Sequence, residues 1–114
     1  MQKGGLNMFT IQSGRIKVIR GDTGIFDLNL DNYTLKEGDK VYFTVKADYD
    51  SEALIFKEVT EFEDGKAKFV LTSEDTDLEP GTYLYDVQCN LADGRVDTVI
   101  TPNKFQVLGG VTSV

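Results

Sequence analysis

The sequence predicts an all-β domain, an antiparallel β-sandwich of about seven to nine strands with at most one short helical turn. Three observations predict it. Nearly every apolar run alternates with period two, helical periodicity is almost absent, and Gly, Pro and Asp turn signals punctuate the chain at short intervals. With 114 residues the chain suffices for one domain of ordinary size. It needs neither disulfide nor metal to fold.

Phe9 and Ile11 begin a short run within residues 1–14, a segment with room for one short strand. The sandwich proper is expected over 15–108, and 109–114, with Gly109-Gly110, as a flexible C-terminal tail. Ile16 and Val18 mark the first strand of the sandwich; Phe26, Leu28 and Leu30 mark the next. Val41, Phe43, Val45 and Ala47 alternate with Tyr42, Thr44 and Lys46, and Ala67, Phe69 and Leu71 alternate with Lys66, Lys68 and Val70. Phe105 and Val107 close the series. Each run reads as a strand with one face on a core. The one candidate helical turn is Ser73–Asp77, with Ser73 as its cap and acids suited to a helix N-terminus.

Two hairpins follow from Asp-Gly pairs, because a two-residue loop of this kind fixes register. Around Asp64-Gly65, Glu63 should face Lys66, Glu61 should face Lys68, Phe62 should face Ala67 and Val59 should face Val70. One conflict remains: Phe56, Thr60 and Phe62 fall on the same face as Glu58, which a bulge near Lys57-Glu58 would repair. Around Asp93-Gly94, Leu91 should face Val96, Cys89 should face Thr98 and Val87 should face Ile100. Tyr83, Tyr85, Val87, Cys89 and Leu91 then share the inward face, and Pro102 opposite Tyr85 should end the ladder.

The approach Leu78-x-Pro80-Gly81-x-Tyr83 looks like the tyrosine corner of immunoglobulin-like sandwiches, where a Tyr hydroxyl ties the chain to a backbone group just upstream. A similar approach, Leu35-x-x-Gly38 into Val41, is too loosely spaced to be a repeat.

Charge excludes some roles. Residues 1–57 carry eight basic and eight acidic groups, whereas 58–114 carry four basic and eleven acidic, giving the net −7. Such a surface argues against nucleic-acid binding and against anionic membranes. No stretch approaches a membrane span, and the N-terminal MQKGGLNMFT has no apolar core of a signal peptide. With no histidine, neither a Ser-His-Asp nor a Cys-His arrangement is available. The single Cys89 reads as a buried core thiol. The reading therefore assigns no catalytic, cofactor or metal residue. Two acidic groups, Asp48, Asp50 and Glu52, and Glu74, Asp75 and Asp77, leave calcium as an alternative ligand; Tyr33, Tyr42 and Tyr49 leave a carbohydrate. Either would bind weakly.

From Arg20 to Thr112 the chain resembles small domains of tail and baseplate proteins from phages and prophages of Gram-positive bacteria, and is similar to the N-terminal domain of a baseplate upper protein. The resembling residues are Arg20-Gly21-Asp22-Thr23 before Phe26 and Leu28, then Leu35-x-x-Gly38-Asp39-x-Val41-x-Phe43-x-Val45 and Ile55-x-Lys57. They continue with Asp64-Gly65-x-Ala67-x-Phe69-x-Leu71-Thr72-x-x-Asp75-Thr76 and Leu78-x-x-Gly81-x-Tyr83-x-Tyr85-Asp86-Val87-Gln88. Asp93-Gly94-Arg95 and Phe105-x-Val107 complete the set. The resemblance implies an immunoglobulin-like sandwich without catalysis, serving as an assembly module in a virion tail, neck or baseplate. Its expected partners are other virion proteins and further copies of itself in a ring or homo-oligomer. Its expected location is the bacterial cytoplasm during synthesis and the particle thereafter. The alternative is a carbohydrate- or calcium-binding immunoglobulin-like module.

Overall fold

The structure, a computed structural model, describes residues 2–4, 9–12, 14–28, 30 and 33–110, with backbone alone at 2–4, 9–12 and 101. Nine strands are present among them: β1 (Gln2–Gly4), β2 (Phe9–Gln12), β3 (Arg15–Ile19), β4 (Gly24–Leu28), β5 (Lys40–Lys46), β6 (Ala53–Val59), β7 (Ala67–Leu71), β8 (Gly81–Asn90) and β9 (Val96–Leu108). They form a three-stranded sheet, β1-β4-β7, and a six-stranded sheet, β2-β3-β9-β8-β5-β6. All neighbours are antiparallel except β3 and β9, which run parallel. This is an immunoglobulin-like β-sandwich. β4 and β7 back one sheet, and β9-β8-β5-β6 form the larger face opposite.

Alternation builds the core. In β5 the pattern buries Val41, Phe43 and Val45 and leaves Tyr42, Thr44 and Lys46 half-buried on the outer face. Phe43 is the centre of an aromatic cluster that joins the sheets. Its ring lies 5.9 Å from Phe26 and 5.5 Å from Phe69 on the small sheet, and 5.6 Å from Tyr85 and 6.3 Å from Phe105 on the large one. Tilted and edge-on arrangements of this kind add to the area buried. The Tyr85 hydroxyl is inside this core, and it donates to the carbonyl of Gly14 at the β2–β3 turn.

Several expectations are corrected. Residues 1–14 are not a separate segment: β1 completes the small sheet and β2 edges the large one, so the sandwich begins before residue 15. Of the tail 109–114, residues 111–114 lie outside the described residues.

The first hairpin reduces to its turn. Asp64 and Gly65 both have positive φ (54° and 72°), as a type I′ turn requires, and Glu63 bridges Lys66. There the ladder stops. Val59 pairs with Val41 and Val70 with Ile25, because β6 and β7 join different sheets. Two strands that each have their own sheet to extend gain more from those ladders than from each other. The expected pairs Glu61–Lys68, Phe62–Ala67 and Val59–Val70 do not form, and Lys68 instead lies 3.9 Å from Glu63. The irregularity in β6 falls at Leu54, between the Val45–Ile55 and Lys46–Ala53 pairs, and not at Lys57-Glu58.

The second hairpin is longer than expected. Gly94 N–H donates to Leu91 O, Leu91 N–H donates to Arg95 O, and of the loop residues only Gly94 has positive φ (97°). Asp93-Gly94 therefore belongs to a three-residue loop, a type I turn followed by a left-handed glycine. Cys89 consequently faces Asp97, and Gln88 faces Thr98, while Val87 faces Ile100 as the sequence expected. Bulges absorb the shift. One of them lies where Thr101 and Pro102 oppose Asp86, so Pro102 sits where no ladder N–H is needed. The ladder does not end there: Tyr85 pairs with Asn103 and Tyr83 with Phe105.

Residues 73–76 form a turn, not a helix, and Thr72 caps it in place of Ser73. Thr72 Oγ1 accepts from Asp75 N–H at 3.1 Å, and Asp75 Oδ2 accepts from Thr72 N–H at 2.7 Å. The Ser73 hydroxyl donates to Gly21 O at 2.7 Å. The buried Thr76 donates to Asp22 O at 2.7 Å, so the turn is fastened to the β3–β4 connection.

Candidate docking surface

Tyr83 is the first inward residue of β8, and its hydroxyl donates to Glu79 O at 2.5 Å, four residues upstream. The ring is half-buried against the core. Leu78 is likewise half-buried against the core; Pro80 and Gly81 are exposed. Gly81 is not in a left-handed conformation, and a Cβ there would meet only Glu79 O at 3.9 Å. Gly38, its counterpart in the other approach, has φ +97°, so the two corners differ in backbone. At this corner the Tyr83 hydroxyl ties β8 to the chain upstream, and at the turns Asp64, Gly65 and Gly94 take positive φ.

Of the acids expected to gather for calcium, Asp48 and Asp77 are engaged by other groups. Asp48 Oδ1 accepts from Asp50 N–H at 3.0 Å and Ser51 Oγ at 2.7 Å, and these bonds hold its carboxyl below the ordinary range. Asp77 Oδ1 lies 2.9 Å from Arg20 Nε. Among the described residues no three His, Cys, Asp or Glu side chains converge as metal ligands would. The three tyrosines do not form a platform either. Tyr33 donates to Asp39 Oδ2 at 2.8 Å and lies under Lys36; Tyr42 stacks on Phe56; Tyr49 is exposed on the β5–β6 loop. The hollow beside Tyr49, lined also by Thr44, Lys46, Leu84, Asp86 and Pro102, has a volume of about 100 Å³, below the usual ligand-pocket range.

Asp39, which the sequence presented only as part of a turn, organises one end of the sandwich. It is buried, and its carboxylate accepts from Ala92 N–H at 2.8 Å, Lys36 N–H at 3.0 Å and the Tyr33 hydroxyl at 2.8 Å. Burial alone pushes its pKa up; the bonds from Ala92, Lys36 and Tyr33 outweigh that and hold it below the ordinary value. The loop before β5 and the β8–β9 hairpin are fastened together through this one carboxylate.

Two of the exposed large apolar side chains lie on β6, at the edge of the large sheet. β6 pairs with β5 on one side, and among the described residues nothing pairs with its other side. Leu54 and Phe56 on this strand are 47% and 58% exposed. Phe56 stacks on Tyr42 of β5, with centroids 5.6 Å apart and planes 24° apart. The Tyr42 hydroxyl is bonded to the Glu58 carboxylate, which raises the tyrosine pKa. A ring, a carboxylate and a second ring thus hold one another on the outer face. The sequence contained a signal for this surface in the one face it could not reconcile: Phe56 shares a side with Glu58 because both point to solvent.

No protein-family model and no curated protein sequence matches this chain. Solved structures are similar in fold. One is the extracellular domain of a hybrid two-component system from B. thetaiotaomicron, 15% identical, TM-score 0.56, over 89% of this chain and 12% of that one. Another is murine CRIg, 12% identical, TM-score 0.44, over 90% of this chain and 96% of that one. The chain therefore spans a small part of the first structure's length, and at this identity the likeness concerns the fold alone.

Proposed function

We propose that this domain is a non-enzymatic assembly module of a phage or prophage particle, docking onto tail, neck or baseplate partners. The observation that carries the docking part is the unpaired edge of β6 with Leu54 and Phe56 exposed beside it. An edge strand with apolar side chains offers a partner both ladder hydrogen bonds and apolar area. The ordered set of motifs from Arg20 to Val107 supports the setting, because it resembles modules of such particles. The hydrogen bonds and ion pairs that already engage Asp48, Asp75 and Asp77 also favour a structural over a ligand-binding role. No helix of the described residues is long and apolar enough to cross a membrane.

The test is proteomic. Particles purified from an induced lysogen carrying this gene should contain the protein in stoichiometric amount with tail or baseplate components. Its absence from purified particles would overturn the reading. Heat released on titration with calcium or a cell-wall polysaccharide would instead favour the ligand-binding alternative.

A further inference from the structure

We propose that β6 takes up an extended, basic segment of a different protein, antiparallel to β6, with an apolar side chain opposite Phe56 and a lysine or arginine opposite Glu58. This rests on the reading of β6 as the docking edge and names the chemistry of the occupant.

The backbone supplies the ladder. Residues 55–59 pair regularly with 41–45 of β5, and the irregularity at Leu54 lies outside this run. A strand added to their far side gains main-chain hydrogen bonds, and its alternate side chains meet the outer row of β6. In the regular run that row is Phe56 and Glu58, both exposed. Antiparallel pairing continues the sense of β5 and β6 and is the more stable per residue.

Charge selects the partner. Edge strands are commonly guarded by lysine. The lysine of β6 does not serve here: Lys57 lies on the inner face, and its Nζ is 2.7 Å from Asp75 Oδ2. Glu58 is then the charge that β6 presents on its outer face. Its carboxylate is bonded to the Tyr42 hydroxyl and keeps lone pairs for a further donor. A strand running antiparallel reaches the C-terminal end of β6 with the residues that precede its apolar one. Just beyond that end the chain lines a cleft of about 520 Å³ with Glu61, Glu63 and Asp64, joined by Asp27 of β4. Lys66 and Lys68 also line it, so four carboxylates stand against two ammonium groups. The net charge of −7 draws a basic segment from a distance and repels a second copy of this chain.

Short fluorescein-labelled peptides test this by anisotropy and by amide chemical shifts of the labelled protein. The peptide KTKTVTVTV can set a lysine against Glu58 and a valine against Phe56. It should bind more tightly than its reversal VTVTVTKTK, and ETETVTVTV should bind least. Its affinity should fall as salt is added, because the attraction is between opposite charges. Glu58→Lys and Phe56→Ser should each weaken it by about tenfold. Val96→Ser, at an exposed position on β9, should leave it unchanged. Shifts should concentrate on residues 55–59. No binding at millimolar peptide, equal binding of the three peptides, affinity unchanged in Glu58→Lys, or shifts centred on the other edge strand, β2, would overturn the proposal. The peptides need no particle, so their failure would leave the virion test untouched, and failure of that test would leave measured peptide binding standing.

Discussion

Lys57 Nζ lies 2.7 Å from Asp75 Oδ2, and this ion pair spans the side of the sandwich on which β6 and β7 part. Lys57 belongs to the large sheet, while Asp75 lies in the turn that follows the edge strand of the small one. Asp75 is also the acceptor for Thr72 N–H, so one carboxylate both caps the turn and ties it to the large sheet. Burial pushes its pKa up, but Lys57 and Thr72 more than compensate and hold it below the ordinary range.

Breaking this pair should cost more at Asp75 than at Lys57. Lys57→Met removes a half-buried charge pair, for a loss of about 1–2 kcal/mol, between the surface and buried cases. Asp75→Ala also leaves Thr72 N–H without its acceptor and should cost about 1 kcal/mol more. Urea melts of both single variants and the double variant check this. Additivity of the two losses would show that the pair is not coupled.

Asp39 should make the domain acid-sensitive. Its folded pKa lies below the unfolded value of about 3.9, so its contribution is complete above that pH and is lost as pH falls through the folded pKa. Asp48, Asp75 and Asp93 are shifted in the same direction and add to the slope. Unfolding free energy should therefore rise from pH 2 to about pH 5. Asp39→Asn should flatten part of that rise and lower stability at pH 7 by about 2–3 kcal/mol, since an amide nitrogen must then face a donor. An unchanged pH slope in this variant would refute the assignment.

Tyr83→Phe should cost only about 0.5–1.5 kcal/mol, because the ring is half-buried and Glu79 O can turn to water. Tyr83→Ala should cost distinctly more, about 3 kcal/mol, through lost packing. Neither should change the binding of a partner by the protein that remains folded. Stability neutral to Tyr83→Phe but accompanied by lost association would make the residue part of an interface instead.

Two glycines separate backbone need from habit. Gly65 has φ +72° and its Cβ would lie 2.5 Å from Thr34 Cγ2, so Gly65→Ala should destabilise by more than about 1 kcal/mol. Gly81→Ala meets no such obstacle and should be neutral or stabilising by up to about 1 kcal/mol. Thermal melts of the pair give the comparison directly; equal losses at both positions would contradict the backbone geometry.

Cys89 is buried, and burial first, then the charges of Asp97 and Asp39, push its thiol pKa up to about 11. At pH 8 a thiol reagent should label the native protein slowly and the denatured protein at once. Fast native labelling would mean that β8 and β9 open far more readily than their packing implies.

The sequence by itself determined the sandwich, the inward faces of β5, β7 and β8, the Asp64-Gly65 turn and the tie from Tyr83 to the chain upstream. These are local properties. Period-two alternation assigns a side chain to a face whatever strand lies beside it, and a glycine or proline constrains its own backbone. Only the tertiary structure decided which strands are neighbours. The Asp64-Gly65 turn is correct, yet the strands it connects leave for different sheets, because a turn sets one bridge while the whole core sets the ladder. Asp39 looked like a turn acid because its partner Ala92 lies 53 residues away. Phe56 looked like a misplaced core residue because nothing local shows that its strand is an edge. Faces follow from the chain's own period; edges and long-range partners follow from the free energy of assembling two sheets around Phe43, which no single segment contains.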